Sequence, residues 1–289
     1  MFSSWDEYRQ INHKLADLAK GQPESRLGEV IRFILSAPGK RVRPLILEFS
    51  AKTFGEPIEE CIDAALAIEL LHAASLVHDD ILDCGIERRG VPSTLQKFGF
   101  EAALLAGDYL ISRSIELISH YKHDVIRAFS LACMKMAEGE MMDLSRSHSF
   151  EDYIECISYK TASLFKASAK IGCLIANASE CDVLKFEEYG FHLGLAYQIL
   201  DDVEEYLGLD QGKISSKSSI TLPRILCDTY PEEEAIQICL KLVDSHASAS
   251  INALNQSSGD ANLKVCLEWI VDEMAIRGIQ KCRLSKSLC

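Results

Sequence analysis

Seven prolines punctuate the 289 residues, and each stands where one apolar-periodic stretch gives way to the next. Proline removes an amide donor and breaks a helix interior, so Pro23, Pro38, Pro44, Pro57, Pro92, Pro223 and Pro231 mark boundaries and leave long intervals open to helix. Within those intervals the stretches Cys61 to Asp83, Glu101 to His120, Asp124 to Asp143, Tyr153 to Ala178 and Asp182 to Leu207 carry apolar residues at i, i+3 and i+4, with no sustained alternation. The spacing predicts helices longer than the usual globular length, joined by short loops. The expected fold is all-α: one domain over 1–289, a bundle of long helices around a central cavity or core.

Composition narrows the function. A net charge of −13 argues against nucleic acid and against a polybasic membrane contact, both of which demand clustered lysine and arginine. The 11 cysteines are scattered, with no pair at C-x-x-C spacing, as in a chain kept in a reducing compartment. No apolar run is expected to reach the length of a transmembrane segment, and a soluble, cytoplasmic protein is predicted. Any anionic ligand of so acidic a chain needs a local remedy.

Two acidic clusters supply one. Asp79, Asp80 and Asp83 lie at i, i+1 and i+4 near the end of an apolar helical stretch, and Asp201, Asp202 and Glu205 repeat that spacing at the end of another. Like charges so close repel, and carboxylates near a helix C-terminus also oppose the macrodipole. One such triplet would read as a solvated helix end; two with the same spacing call for a cation. Magnesium takes one or two carboxylates and completes its octahedron with water and phosphate, so it would also bridge to a diphosphate. Basic residues flank the first cluster: Lys40, Arg41 and Arg43 in "APGKRVRP", then Arg88 and Arg89, while His72 stands two helical turns before Asp79. Guanidinium forks and a histidine suit a second phosphate group not held by metal.

With these residues in order, the chain resembles the trans-prenyltransferases, the head-to-tail polyprenyl diphosphate synthases of the isoprenoid synthase type. The matching elements are "GKRVRP", "HAASLVHDDILD", "RRG", "GDYL", "YKTASLF", "GLAYQILDDVEEYLG" and "ITLP", from about Arg26 to Pro223. The resemblance implies that Lys40, Arg43, His72 and Arg89 hold the diphosphate of isopentenyl diphosphate. It implies that Asp79, Asp80, Asp83, Asp201, Asp202 and Glu205 bind magnesium, three Mg2+ ions with substrate present, which clamp an allylic prenyl diphosphate. Arg88, Lys160, Thr161, Gln198 and Lys213 would contact that allylic group, with Lys160, Thr161 and Gln198 giving electrostatic support to the cation and leaving group. A homodimer is implied as well.

Two departures stand out. Glu205 replaces the family's usual aspartate, which predicts altered metal geometry rather than lost activity. The polar stretch "LGLDQGKISSKSSITLP" is shorter than usual and reads as a flexible loop, with Lys213 matching the family's loop lysine and Lys217 as its substitute. A second loop is expected over Cys84 to Ser93.

Product length is argued from Ala74 and Ser75, which precede Asp79 by about 6 to 7.5 Å along a helix. Family members with aromatic residues here close the tunnel early. These small residues leave it open, so the product expected is roughly twenty-five carbons or longer, with Leu70 and Leu71 one turn deeper as the next barrier. A farnesyl or geranylgeranyl diphosphate synthase is the alternative, and would need Ile111 or Ile115 to block the path. A class I terpene cyclase and a non-catalytic subunit are more remote, since the chain carries "GKRVRP", "RRG" and both acidic clusters.

Overall fold

The computed structural model describes residues 2–88, 90–144, 149–209, 213–215 and 221–286. The chain falls into two compact units: Met1–Leu45, Ile62–Tyr121 and Gln211–Ser219 in the first, Ile46–Cys61, Lys122–Asp210 and Ile220–Cys289 in the second.

Helices α1 (Asp6–Lys20) and α2 (Arg26–Leu35) open the first unit, followed by the first turn of α3 (Val42–Thr53) and most of α4 (Ile58–Leu82). The Ser25 hydroxyl accepts the Gly28 amide at 3.1 Å and caps α2, whose Val30, Ile31 and Leu35 then point inward. Pro57 immediately precedes α4, and Pro44 sits in the first turn of α3, where its missing amide costs nothing. Leu66, Ala67, Leu70, Leu71, Ala74 and Val77 are buried along α4. Helix α4 is long and apolar enough to cross a membrane by length and composition alone, but its most apolar window, of mean hydropathy 1.4, is 61% buried inside the protein, as for the core helix of a folded chain.

Three short strands break the all-helical pattern. Strands β1 (Gly85–Arg88) and β2 (Val91–Pro92) form a hairpin directly after α4, ahead of α5 (Thr94–Phe98) and α6 (Phe100–Ile118). Strand β3 (Lys213–Ser215) pairs antiparallel with the other edge of β1, in the order β2-β1-β3. Both stretches expected as loops thus contain backbone pairing, with Arg88 opposite Val91 on one side and Lys213 on the other. The remainder of the 208–219 stretch, Lys217 included, lies outside the described residues apart from Gly208 and Leu209.

The regular elements among the second unit's described residues are helical: the rest of α3 and the start of α4, then α7 (His123–Leu144), α8 (Phe150–Ile157), α9 (Ser163–Ile175), α10 (Glu180–Tyr206), α11 (Leu222–Cys227), α12 (Glu232–Asn255), α13 (Ala261–Val271) and α14 (Arg277–Lys286). Serines cap where the chain turns inward, Ser149 accepting the Asp152 amide and Ser179 the Asp182 amide. Phe186, Tyr189, Leu193, Ala196, Ile199 and Val203 recur along α10 at helical spacing, and this stripe packs against α9 and α12. A π-helical turn, Ser158–Ala162, joins α8 to α9. It rests on α7 at Gly139, where a Cβ would lie 2.2 Å from the Lys160 amide nitrogen, so only glycine admits the approach.

Candidate active site

The first acidic cluster is divided by its burial. Asp79 and Asp83 stand one turn apart at the end of α4, where the Asp83 amide donates to the Asp79 carbonyl at 2.9 Å, and both side chains are half-buried. Asp80 turns inward and is only 3% exposed. Arg88 reaches back from β1 to both: Nε donates to Asp80 Oδ1 at 2.9 Å and Nη2 to Asp79 Oδ2 at 2.5 Å. Burial works against the guanidinium charge, but Asp80 and then Asp79 outweigh it and hold the Arg88 pKa above its ordinary value. The hairpin returning after α4 is what brings Arg88 onto the cluster.

The basic turn before α3 is divided too. Arg43 donates through Nη1 to His72 Nε2 at 3.1 Å. An arginine cannot accept, so His72 is the acceptor there and carries its proton on Nδ1. Lys40 is exposed on the same turn. Arg41, grouped with them by sequence, serves another purpose: at φ 54° it donates to Glu69 at 2.7 Å, Asn12 at 3.1 Å and the Ala37 carbonyl at 2.8 Å. Glu69 is 6% exposed, so Arg41 is the counter-ion of a buried carboxylate that fixes the turn.

Further along α4, Ala74 is fully buried, Leu71 is buried, and Ser75 is half-buried with its hydroxyl donating to the His72 carbonyl at 2.8 Å. A pocket of about 720 Å3 in this unit is lined by Tyr8, Asn12, Arg32, Phe33, Arg41 and Phe98 among others, and Arg41 alone of the candidate residues named above lines it. Arg89 and the side chain of Lys213 lie outside the described residues.

In the second unit the acidic cluster shows the same division. Asp201 is half-buried and Glu205 exposed, whereas Asp202 is 7% exposed. Asp202 Oδ1 accepts from Gln198 Nε2 at 2.9 Å, and Oδ2 accepts from the Tyr153 hydroxyl at 2.8 Å and the Leu222 amide at 3.0 Å. Burial pushes the Asp202 carboxyl up to about 7, against those three hydrogen bonds, with Asp201 adding to the rise. The same burial raises the Tyr153 phenol well above its usual range.

Gln198 continues the chain of bonds. Its Nε2 is committed to Asp202, so its Oε1 faces Thr161, whose hydroxyl donates to it at 2.7 Å. The Thr161 proton is therefore spent, and the oxygen presents lone pairs to whatever lies beyond. Lys160, next door on the π turn, pairs with α7: its Nζ lies 2.6 Å from Asp143 and 2.9 Å from Glu140.

Sequence reasoning missed the partners that hold these groups. Glu140 and Asp143 lie three apart on α7, a pattern that resembles an ordinary solvated face. Tyr153 is one aromatic in an apolar period and carries no local signal. The π turn leaves none either, although such turns are frequent at functional sites.

The comparisons with known proteins accord with this geometry. The polyprenyl synthetase family matches residues 24–251. A geranylfarnesyl diphosphate synthase of Methanosarcina mazei is 41% identical over 253 residues, 86% of each chain. A geranylgeranyl diphosphate synthase of Sulfolobus acidocaldarius is 36% identical over 217 residues, 70% of this chain and 66% of its own. Among solved structures, a geranyltranstransferase from Methanosarcina mazei superposes with a TM-score of 0.85 at 36% identity, over 96% of this chain and all of that one. The family uses Mg2+ in catalysis, and carboxylates, here half-buried at Asp79, Asp83 and Asp201 and exposed at Glu205, are the hard donors that ion takes. Acidic helix ends, each with one buried and hydrogen-bonded aspartate, together with the match over 24–251, place the chain in the polyprenyl synthetase family: it is a prenyltransferase, a trans-prenyl diphosphate synthase.

Proposed function

We propose that the protein lengthens an allylic prenyl diphosphate by condensation with isopentenyl diphosphate, and that its product has about twenty-five carbons. The observation that carries this reading is the division of both acidic clusters. In each, one aspartate is buried and hydrogen-bonded, Asp80 to Arg88 and Asp202 to Tyr153, while Asp79, Asp83 and Asp201 are half-buried and Glu205 is exposed. That is how a chain would hold repelling carboxylates in place for cations.

In this reading Asp79, Asp83, Asp201 and Glu205 are the principal magnesium ligands. Arg43, its guanidinium oriented by His72, holds the isopentenyl diphosphate with Lys40 and Arg89. When bound, magnesium neutralises the charge that develops on the departing diphosphate. Arg88, already cationic between Asp79 and Asp80, supports the same group, with Lys213 from the loop. The allylic carbon–oxygen bond breaks, and the cation left behind meets the lone pairs that Thr161 presents because its proton is given to Gln198. Lys160 is held beside it by Asp143 and Glu140. The isopentenyl double bond attacks the cation, a new carbon–carbon bond forms, and a proton is lost to the released pyrophosphate.

Fully buried Ala74 sets no bulk beside the growing chain, in keeping with a relative named geranylfarnesyl diphosphate synthase. The same reading takes residues 1–289 as one catalytic domain that works as a cytoplasmic homodimer with three Mg2+ ions when substrate is present. The test is incubation with magnesium, isopentenyl diphosphate and, separately, geranyl, farnesyl and geranylgeranyl diphosphate, with product length read by chromatography. Product of twenty-five carbons supports the reading. Products that stop at farnesyl or geranylgeranyl length refute the open passage at Ala74, and no elongation refutes the activity.

A further inference from the structure

We propose that Tyr8 and Asn12 of α1 are positioning residues for isopentenyl diphosphate, acting through Arg41 and Gly39 on the turn that carries Lys40 and Arg43; this rests on the prenyl-transfer reading above. Neither belongs to a motif of the sequence. The Tyr8 hydroxyl donates to the Gly39 carbonyl at 3.0 Å, and Asn12 Oδ1 accepts from Arg41 Nε at 3.1 Å. All of these residues belong to the first unit.

The conformation of Arg41 makes the argument. A φ of 54° lies in the left-handed region that a residue with a Cβ seldom adopts, and it persists where the surroundings over-determine it. Here each guanidinium nitrogen has its own partner. Nε gives to Asn12 on α1, Nη1 to Glu69 on α4 at 2.7 Å, and Nη2 to the Ala37 carbonyl of the turn itself at 2.8 Å. Gly39 makes room for this packing, since a Cβ there would lie 2.6 Å from Nη1. Asn12 is oriented in its turn. Its Nδ2 donates to the Tyr8 carbonyl at 2.8 Å, one helical turn earlier, which leaves Oδ1 to face the arginine; a flipped amide would set donor against donor.

Lys40 and Arg43 stand on either side of this fixed residue. Glu69 and His72 are three apart on one face of α4, so the pairs Arg41–Glu69 and Arg43–His72 are successive rungs between the turn and that helix. Helix α1 braces the first rung. Tyr8, Asn12, Ala37 and Arg41 also line the pocket of about 720 Å3, so open space lies beside the guanidinium. Shortening Asn12 therefore gives Arg41 Nε to water, and the turn relaxes and carries Lys40 and Arg43 with it. Removing the Tyr8 hydroxyl releases the Gly39 carbonyl, one residue before Lys40.

The experiment compares Asn12→Ala, Asn12→Asp and Tyr8→Phe with the wild-type chain. It measures kcat, KM for isopentenyl and for farnesyl diphosphate, the Kd of isopentenyl diphosphate by calorimetry, and a circular dichroism melt of each protein. Asn12→Ala loses a hydrogen bond to a charged group and should raise KM and Kd for isopentenyl diphosphate about tenfold. Tyr8→Phe loses a neutral one and should raise them about fivefold. In both, kcat at saturation and KM for farnesyl diphosphate should stay within about twofold, and Asn12→Asp, which still accepts from Arg41, should match wild type. A folded Asn12→Ala chain with wild-type KM and Kd for isopentenyl diphosphate overturns the proposal. So does an equal loss for both substrates, or a loss that Asn12→Asp does not repair, because general loosening of α1 would give either. Should Asn12→Ala not fold, Tyr8→Phe decides by the split between the two substrates. If the wild-type chain binds isopentenyl diphosphate and forms no prenyl product, the functional reading fails and the calorimetric constants alone decide the positioning role. No binding to the wild-type chain overturns both.

Discussion

Replacing Gly139 by alanine tests whether the π turn is placed by a glycine-sized gap on α7. A Cβ at residue 139 would stand 2.2 Å from the Lys160 nitrogen, 2.7 Å from its Cα and 2.8 Å from the Tyr159 carbonyl carbon. Ordinary contact begins at 3.4 Å, so 3.4 − 2.2 gives a displacement of at least 1.2 Å. All three atoms are backbone and cannot rotate away, which puts the steric cost at the upper end of about 1–3 kcal/mol for overpacking. Alanine's better helix propensity returns about 1 kcal/mol. The net loss is about 2 kcal/mol, or about 4–8 °C in Tm at the scale of larger domains. Activity should suffer more than stability. Lys160 and Thr161 ride on the displaced turn, and a misplacement of about 1 Å in such groups costs about a hundredfold in rate. The assay is steady-state elongation of farnesyl diphosphate beside a thermal melt. A Gly139→Ala enzyme with wild-type kcat and an unchanged or higher Tm would refute the claim that this contact positions the site.

Three more predictions concern other parts of the molecule. Asp79→Ala or Asp201→Ala should abolish magnesium-dependent turnover while far-ultraviolet circular dichroism remains that of the parent; retained rates in both would remove the metal role. Ala74→Phe should shorten the product and, because Ala74 is fully buried, lower stability by about 1–3 kcal/mol; an unchanged product means the chain does not pass that face of α4. His192 and His246 share a hydrogen bond between their Nδ1 atoms at 3.0 Å, which requires one nitrogen to stay unprotonated. Burial lowers both imidazole pKa values, opposed at His192 by Glu188 and reinforced at His246 by His192. The unfolded chain therefore binds more protons once pH drops below about 6.5, and the stability present above that pH is lost as it falls. Melts from pH 7.5 to 5 should show a decline that His246→Asn flattens, and a parallel decline in both proteins would exclude the pair as its source.

The helices were legible because proline and apolar period act locally and agree with one another. Pro57 precedes α4, Pro231 caps α12, and both acidic triplets fall at the helix ends where their spacing put them. What escaped depends on contacts remote in sequence. The π turn at Lys160 is shaped by Gly139 about twenty residues earlier, a relation no local window contains. Strand β3 is three residues long and has a partner only because β1 lies beside it. Arg41 and Arg43 are indistinguishable as letters, yet the positive φ at Arg41 turns one toward Glu69 while the other meets His72. Tyr153 was invisible for the converse reason, since a buried tyrosine is ordinary until the partner of its hydroxyl is known.

Strand pairing also bears on how this protein can vary. The backbone of β3 is in register with β1, Ile214 opposite Glu87 and Lys213 opposite Arg88. One residue added or removed within 213–215 would shift that register, so that a different β3 position would pair with Arg88. An indel there is then a change at Arg88, the arginine that bonds Asp79 and Asp80. For a lineage carrying this fold, the short segment is a ruler, and length changes are tolerated beside it more readily than inside it.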